Sequence, residues 1–190
     1  TNENNQFRDK KIIITGAAGT IGEEICYQLI KEEPSDLILI DKNEIGISNL
    51  NQKLNKLKLK NTKIKLILAN LCFKSVIKKI VGEVKPDFIF HAAAYKHVDL
   101  VEDNIISSIN NNIVGTYNIC SLADKYKVNK FTFISSDKAV RPTNVMGATK
   151  RVAEKIVYFF SLKSKTVFST VRFGNVINSS GSVIPIFRNQ

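Results

Sequence analysis

Ser136-Asp137-Lys138 sets a hydroxyl, a carboxyl and an amine on consecutive residues, a grouping able to pass protons between carbon and oxygen. A lysine serves as a base only when neutral, and a free lysine has a pKa of about 10.4. Desolvation in a closed cleft, or a nearby cation such as Arg141 or Lys150, lowers that value. The trio closes an apolar run over 131–135, and doubly wound folds bind ligands at the carboxyl ends of their strands. An exposed loop ion pair would read the same way. A second group, Gly16, Gly19 and Gly22, separates an apolar run over 11–15 from a helical stretch. There one glycine permits the turn, one lets a pyrophosphate reach the backbone, and one allows close helix–strand packing. The helix N-terminus then holds the phosphates with free N–H groups and its positive end, so Gly16, Ala18, Gly19, Thr20, Ile21 and Gly22 are the candidate contacts. Asp41, ending the second apolar run, is placed to accept hydrogen bonds from the adenosine ribose hydroxyls. Its charge repels a 2′-phosphate and favours NAD; Lys42 beside it leaves NADP open.

Those groups need a frame, and the apolar pattern supplies one. Short runs at 11–15, 36–41, 63–68, 87–91, 131–135 and 166–173 read as strands, apolar on consecutive positions as when both faces are covered. Amphipathic stretches at 21–31, 44–57, 74–83, 105–126 and 145–161 read as helices between them. The alternation predicts an α/β fold: a Rossmann-like, doubly wound parallel sheet with helices on both faces. Residues 1–9 are polar and expected to fray; residues 10–190 form a single domain.

Bulk properties narrow the function classes. At 190 residues with 44% hydrophobic, the chain suits one sizeable core. No apolar run reaches the ~20 residues of a membrane-spanning helix, so no membrane contact is expected within this segment. Cys26, Cys72 and Cys120 lie far apart and only His91 and His97 are histidines, which argues against disulfides and metal and for a reducing cytoplasm. The net charge of +11 raises nucleic acid as a partner, but the lysines are scattered over polar helix faces, so none is expected. A phosphorylated small molecule suits the same sign of charge. A start at Thr1 and a stop at Gln190 suggest a piece of a longer protein.

The run Thr15-Gly16-Ala17-Ala18-Gly19-Thr20-Ile21-Gly22 resembles the extended short-chain dehydrogenases/reductases. That resemblance implies adenine contacts from Asn70 and Leu71, with Asn70 standing where the family usually has aspartate. It also implies a cofactor-side stretch of small residues, Ala92, Ala93 and Ala94, and a supporting asparagine in Asn112-Ile113-Val114-Gly115-Thr116. More specifically, three runs resemble bacterial nucleotide-sugar 4,6-dehydratases of the UDP-N-acetylglucosamine type: 91–98, 135–151 and 171–176. Most of the superfamily carries Tyr-x-x-x-Lys; here Lys150 is preceded by Met146, as in one subgroup of those dehydratases, and a thioether exchanges no proton. The resemblance implies Lys138 as base at sugar C5, Asp137 as acid at the C6 oxygen, Ser136 on the 4-oxygen and Lys150 on the nicotinamide ribose. Ser136, Asp137 and water remain alternatives for relaying the 4-hydroxyl proton. It further implies diphosphate contact from Asn175, homo-oligomers built on helices 105–126 and 145–161, and a sugar pocket completed by sequence after Gln190. Lys96 is a candidate for phosphate or sugar contact, with a solvated lysine the equal alternative. A nucleotide-sugar 4-epimerase and a non-catalytic NAD-binding module are the competing functions.

Overall fold

The structure, a computed structural model, describes residues 5–174 except 58 and 60. Six strands form one parallel sheet: β1 (Lys11–Thr15), β2 (Asp36–Asp41), β3 (Lys63–Leu68), β4 (Phe88–His91), β5 (Lys130–Ser136) and β6 (Val167–Phe173). Their spatial order is β3-β2-β1-β4-β5-β6, so the chain reverses direction across the sheet between β1 and β4. That reversal opens a crevice at the strands' carboxyl ends, where such folds take ligands.

Alternation along each strand decides what covers which face. Ile13, Ile38, Ile40, Ile89, Phe131 and Phe133 point to one side and pack on α3 (Lys74–Val84), α6 (Gly115–Lys125) and α7 (Val145–Lys163). Ile12, Ile14, Leu37 and Leu39 point to the other and meet α1 (Thr20–Lys31) and α2 (Glu44–Leu54). Ile12, Ile13 and Ile14 are fully buried, and each stabilises the fold by about 1.5–3 kcal/mol. At β1 and β2 both faces are dry, which is why these two strands read as unbroken apolar runs.

Three differences from the sequence reading have physical causes. The helix expected over 105–126 is divided into α5 (Ile105–Ile109), a π-helical turn (Asn110–Val114) and α6. The wider turn carries Asn112 inward, where its amide is satisfied by groups from other elements. A short helix, α4 (Val98–Asp103), has too few residues to show a period. Finally, the stretch expected to fray contains an anchor in its described part. The Phe7 ring packs edge-on to Phe88 at 5.1 Å, and Arg8 pairs with Glu33 at 2.6 Å. No helix among the described residues is long and apolar enough to cross a membrane.

Candidate functional site

The glycine loop closes against β4. Gly16 has φ +72°, and a Cβ there would lie 2.6 Å from the Ala92 carbonyl carbon and the Ala93 Cα. Only glycine allows both the left-handed turn and that approach. A Cβ on Gly22 would meet the Gly16 carbonyl carbon at 2.8 Å, so α1 lies directly on the loop. Gly19 is the exposed N-cap of α1 and offers no side-chain cap. The N-terminus of α1 brings the helix's positive end and its first-turn amides, which have no acceptor in the preceding turn, to the loop at Gly19. A pyrophosphate fits that cradle.

Asp41 binds the loop to the second strand. Its carboxylate accepts from the Ala18 N–H at 3.0 Å and the Asn43 N–H at 2.9 Å. Each oxygen has a further lone pair for a ribose hydroxyl. Next to it, Lys42 donates to the Tyr95 hydroxyl and lies 3.7 Å from that ring's centroid, bridging the loops after β2 and β4. After β3, Asn70 accepts from the Cys72 N–H at 2.9 Å, and Asn118 donates to the carbonyl of buried Leu71 at 2.9 Å.

A buried polar chain runs under the crevice floor. His91, fully buried, contacts Thr15 Oγ1 at 2.7 Å through Nδ1 and Thr116 Oγ1 at 2.9 Å through Nε2. Thr116 gives its own proton to the Asn112 carbonyl at 2.6 Å. It must therefore accept from Nε2–H, which assigns the neutral tautomer. Burial, with Lys150 nearby, pushes the His91 pKa down to about 3. Asn112 exchanges hydrogen bonds with the Tyr95 backbone at 2.8 and 3.1 Å and donates to Thr149 at 3.0 Å. The π-helical turn thus fixes the segment after Ala92-Ala93-Ala94 to α7.

Ser136, Asp137 and Lys138 stand at the end of β5 and in the turn that follows it. Ser136 donates to Asp137 Oδ1 at 2.9 Å, the Lys138 N–H donates to the same oxygen at 2.8 Å, and Lys138 Nζ lies 3.4 Å from it. The Ser136 hydroxyl, joined by the Lys138 charge and hydrogen bonds, holds the Asp137 carboxyl below its ordinary range against the opposing effect of desolvation. Both side chains are open to the crevice mouth, Asp137 at 56% and Lys138 at 41% exposure. The α7 N-terminus is pressed onto this turn. A Cβ on Gly147 would meet the Lys138 carbonyl oxygen at 2.6 Å, and Asn144 caps the helix through the Gly147 N–H at 2.8 Å. One turn before Lys150, Met146 is buried.

Lys150 is buried too. Its ammonium donates to the Ile134 carbonyl at 3.0 Å and lies 4.9 Å from the Phe133 ring centroid. Burial lowers its pKa to about 8, with Glu154 opposing. Lys96 is exposed on the loop after β4 with its pKa lowered by partial desolvation. Asn175 lies outside the described residues.

One constellation escaped the sequence reading. Glu154, 7% exposed, accepts from Ser135 at 2.7 Å, from Arg172 at 2.8 Å on each oxygen, and from Arg151 at 3.2 Å. Desolvation pushes its carboxyl up, and the Arg172 and Ser135 hydrogen bonds outweigh it, leaving the pKa below the usual value. The available signals were its place four residues after Lys150 on one helix and the pairing of Ser135 with Arg172 across β5 and β6.

This fold and crevice define a Rossmann domain of the extended short-chain dehydrogenase/reductase type. A model described as polysaccharide biosynthesis protein matches residues 12–190, and the chain belongs to that family. It is 45% identical over 186 residues to the capsular polysaccharide biosynthesis protein CapD of Staphylococcus aureus, covering 97% of this chain and 31% of that protein. It is 37% identical over 190 residues to a UDP-glucose 4-epimerase of Rickettsia bellii, covering 97% of this chain and 54% of the relative. The chain therefore spans well under two thirds of either. Among solved structures, Pen from Bacillus thuringiensis superposes with a TM-score of 0.89 at 36% identity, covering 97% of this chain and 56% of that one. WbmH of Bordetella bronchiseptica, solved with NAD+, superposes at 0.76 with 19% identity, covering 95% and 61%; that likeness bears on the fold.

Proposed function

We propose that this chain is the NAD-binding part of a cytoplasmic nucleotide-sugar 4,6-dehydratase of surface-glycan synthesis, acting on a UDP-N-acetylglucosamine-type substrate. The observation that carries the reading is the exchange of chemistry at one spot. Met146 fills the α7 position one turn before Lys150, while Ser136, Asp137 and Lys138 crowd the adjoining end of β5. Loss of water across C5 and C6 requires a base and an acid, which Lys138 and Asp137 can supply without a tyrosine, whereas a 4-epimerase normally needs the tyrosine.

The glycine cradle, the α1 N-terminus and Asp41 fit NAD, and the carboxylate disfavours a 2′-phosphate. NAD held there would supply a hydride acceptor for sugar C4 and a hydride donor for C6. Gly16, Gly19 and Gly22 admit the pyrophosphate, Asp41 the adenosine ribose, and Asn70 and Leu71 flank the adenine. Lys150 donates to the nicotinamide ribose and favours negative charge developing on the 4-oxygen, to which Ser136 also donates. Asp137 meets the sugar as a carboxylate. Exclusion of water on substrate binding would raise its pKa, so that it can take the 4-hydroxyl proton, through Ser136 or a water, and give it to the departing C6 hydroxyl. Lys138, neutral once the filled cleft desolvates it, would receive the C5 proton, made acidic by the neighbouring ketone, and return it to C5 as C6 is reduced. Lys96 and Asn175 are assigned to the substrate's diphosphate and sugar. Val152, Tyr158, Phe159 and Leu162 leave an apolar, exposed stripe on α7, which suits a second copy of the protein.

The test uses the full-length protein with UDP-N-acetylglucosamine. A 4-keto-6-deoxy product without net NADH supports the reading, and Lys138→Ala should abolish it while NAD binding persists. Wild-type turnover by Lys138→Ala would remove Lys138 as the base. A C4 stereoisomer as sole product would favour the epimerase reading, which the name of the Rickettsia relatives motivates. Neither product would indicate a silent NAD-binding module.

A further inference from the structure

Glu154 is buried, charged and unused by the chemistry above, yet it touches three elements that carry it. Through Ser135 it holds the end of β5 one residue before the Ser136–Lys138 turn. Through Arg172 it holds the end of β6, where the chain leaves toward residues 175–190. It stands one helical turn after Lys150 on α7. Burying a carboxylate is costly unless its lone pairs are filled, and here Ser135, Arg172 and Arg151 fill them. Removing Arg172 leaves the buried carboxylate with only Ser135 and the longer Arg151 contact, whereas removing Glu154 leaves Arg172, 43% exposed, to solvent.

We propose that Glu154 is a positioning residue: paired with Arg172, it locks the ends of β5 and β6 to α7 and sets the charge that Lys150 presents to the cofactor. Two titratable groups act on that ammonium directly: Glu154 from its own helix, which favours the protonated lysine, and His91, neutral, from β4. Its contacts are the Ile134 carbonyl and the Phe133 ring. Arg151 from α7 and Arg172 from β6 are bonded to Glu154 and reach Lys150 only through it, so the Arg172 cation offsets part of the carboxylate's field.

The proposal rests on NAD occupying the glycine cradle, and its test does not require sugar turnover. NAD affinity is measured calorimetrically on the full-length protein from neutral to alkaline pH, for wild type, Glu154→Gln and Arg172→Gln. The wild-type affinity should weaken as Lys150 loses its proton. Glu154→Gln should move that weakening to lower pH by roughly half a unit or more, and Arg172→Gln should move it to higher pH. Both variants lose the same ion pair and both destabilise the fold, so a merely structural role would shift the midpoint in neither or displace both alike. Glu154→Asp should recover part of the wild-type midpoint. Opposite shifts support the proposal. Shifts of one sign, unchanged midpoints, or wild-type binding that ignores pH overturn it. Product analysis of the wild type decides the dehydratase reading separately, since NAD binding can titrate as described in an enzyme that makes no keto sugar.

Discussion

The glycine loop offers a prediction in which two similar substitutions must separate. Gly16→Ala forces a methyl into a left-handed backbone at φ +72° and within 2.6 Å of the Ala92–Ala93 backbone. The conformation costs about 1–2 kcal/mol, and overpacking against rigid backbone adds about 1–3 kcal/mol. The unfolding free energy should thus fall by roughly 2–5 kcal/mol, a large part of a marginal total. Gly19→Ala is different. Its backbone lies at φ −79°, and a Cβ meets only the Gly16 carbonyl oxygen at 3.3 Å. Its stability cost should stay within about 1 kcal/mol, but its methyl projects where the pyrophosphate must approach α1. Urea unfolding and NAD titration on both variants read the two effects independently. Gly16→Ala should lose stability and binding together, whereas Gly19→Ala should lose no more than about 1 kcal/mol of stability but at least roughly tenfold in affinity, about 1.4 kcal/mol. A wild-type midpoint for Gly16→Ala would refute the account of the loop, as would tight NAD binding by Gly19→Ala.

Lys150→Met removes a buried ammonium whose pKa is lowered to about 8. It should raise stability near neutral pH by up to roughly 3 kcal/mol while weakening NAD binding; a less stable variant on urea unfolding contradicts this. His91 takes its proton near pH 6.5 when unfolded but near 3 when folded, so the unfolded state binds more protons between those values. Stability should be fully present above pH 6.5 and fall with acid by up to roughly 5 kcal/mol. His91→Gln should flatten that slope, and parallel pH curves for the two proteins would contradict it. Tyr158→Glu combined with Leu162→Glu, at positions 64% and 69% exposed, should convert an oligomer to monomers in sedimentation without lowering NAD affinity; unchanged mass removes the α7 stripe as an interface.

What could be read from sequence follows from how local each feature is. β1 and β2 announce themselves because both their faces are dry, leaving unbroken apolar runs between polar turns; β3, at the sheet edge, alternates Lys63 and Lys65 with apolar residues. The glycine loop is legible for a similar reason: its spacing encodes a turn, an approach and a packing contact within eight residues. The π-helical turn at Asn110–Val114 is not legible, since it depends on the Asn112 amide finding Tyr95 and Thr149. The Phe7 anchor depends likewise on Phe88 and Phe90, far along the chain.

Glu154 shows the limit most clearly, and why the limit lies at the site. In sequence it is one carboxylate on a helix otherwise rich in solvated charge, and its spacing from Lys150 suggests an ordinary surface pair. Its burial follows from Ser135 and Arg172, which strand pairing brings opposite one another on the face that α7 covers. A buried charge survives only where several elements converge to satisfy it, and in this fold they converge beneath the carboxyl ends of β5 and β6. The same convergence that hides Glu154 from a linear reading puts it next to Lys150, and that adjacency gives its charge leverage over cofactor binding.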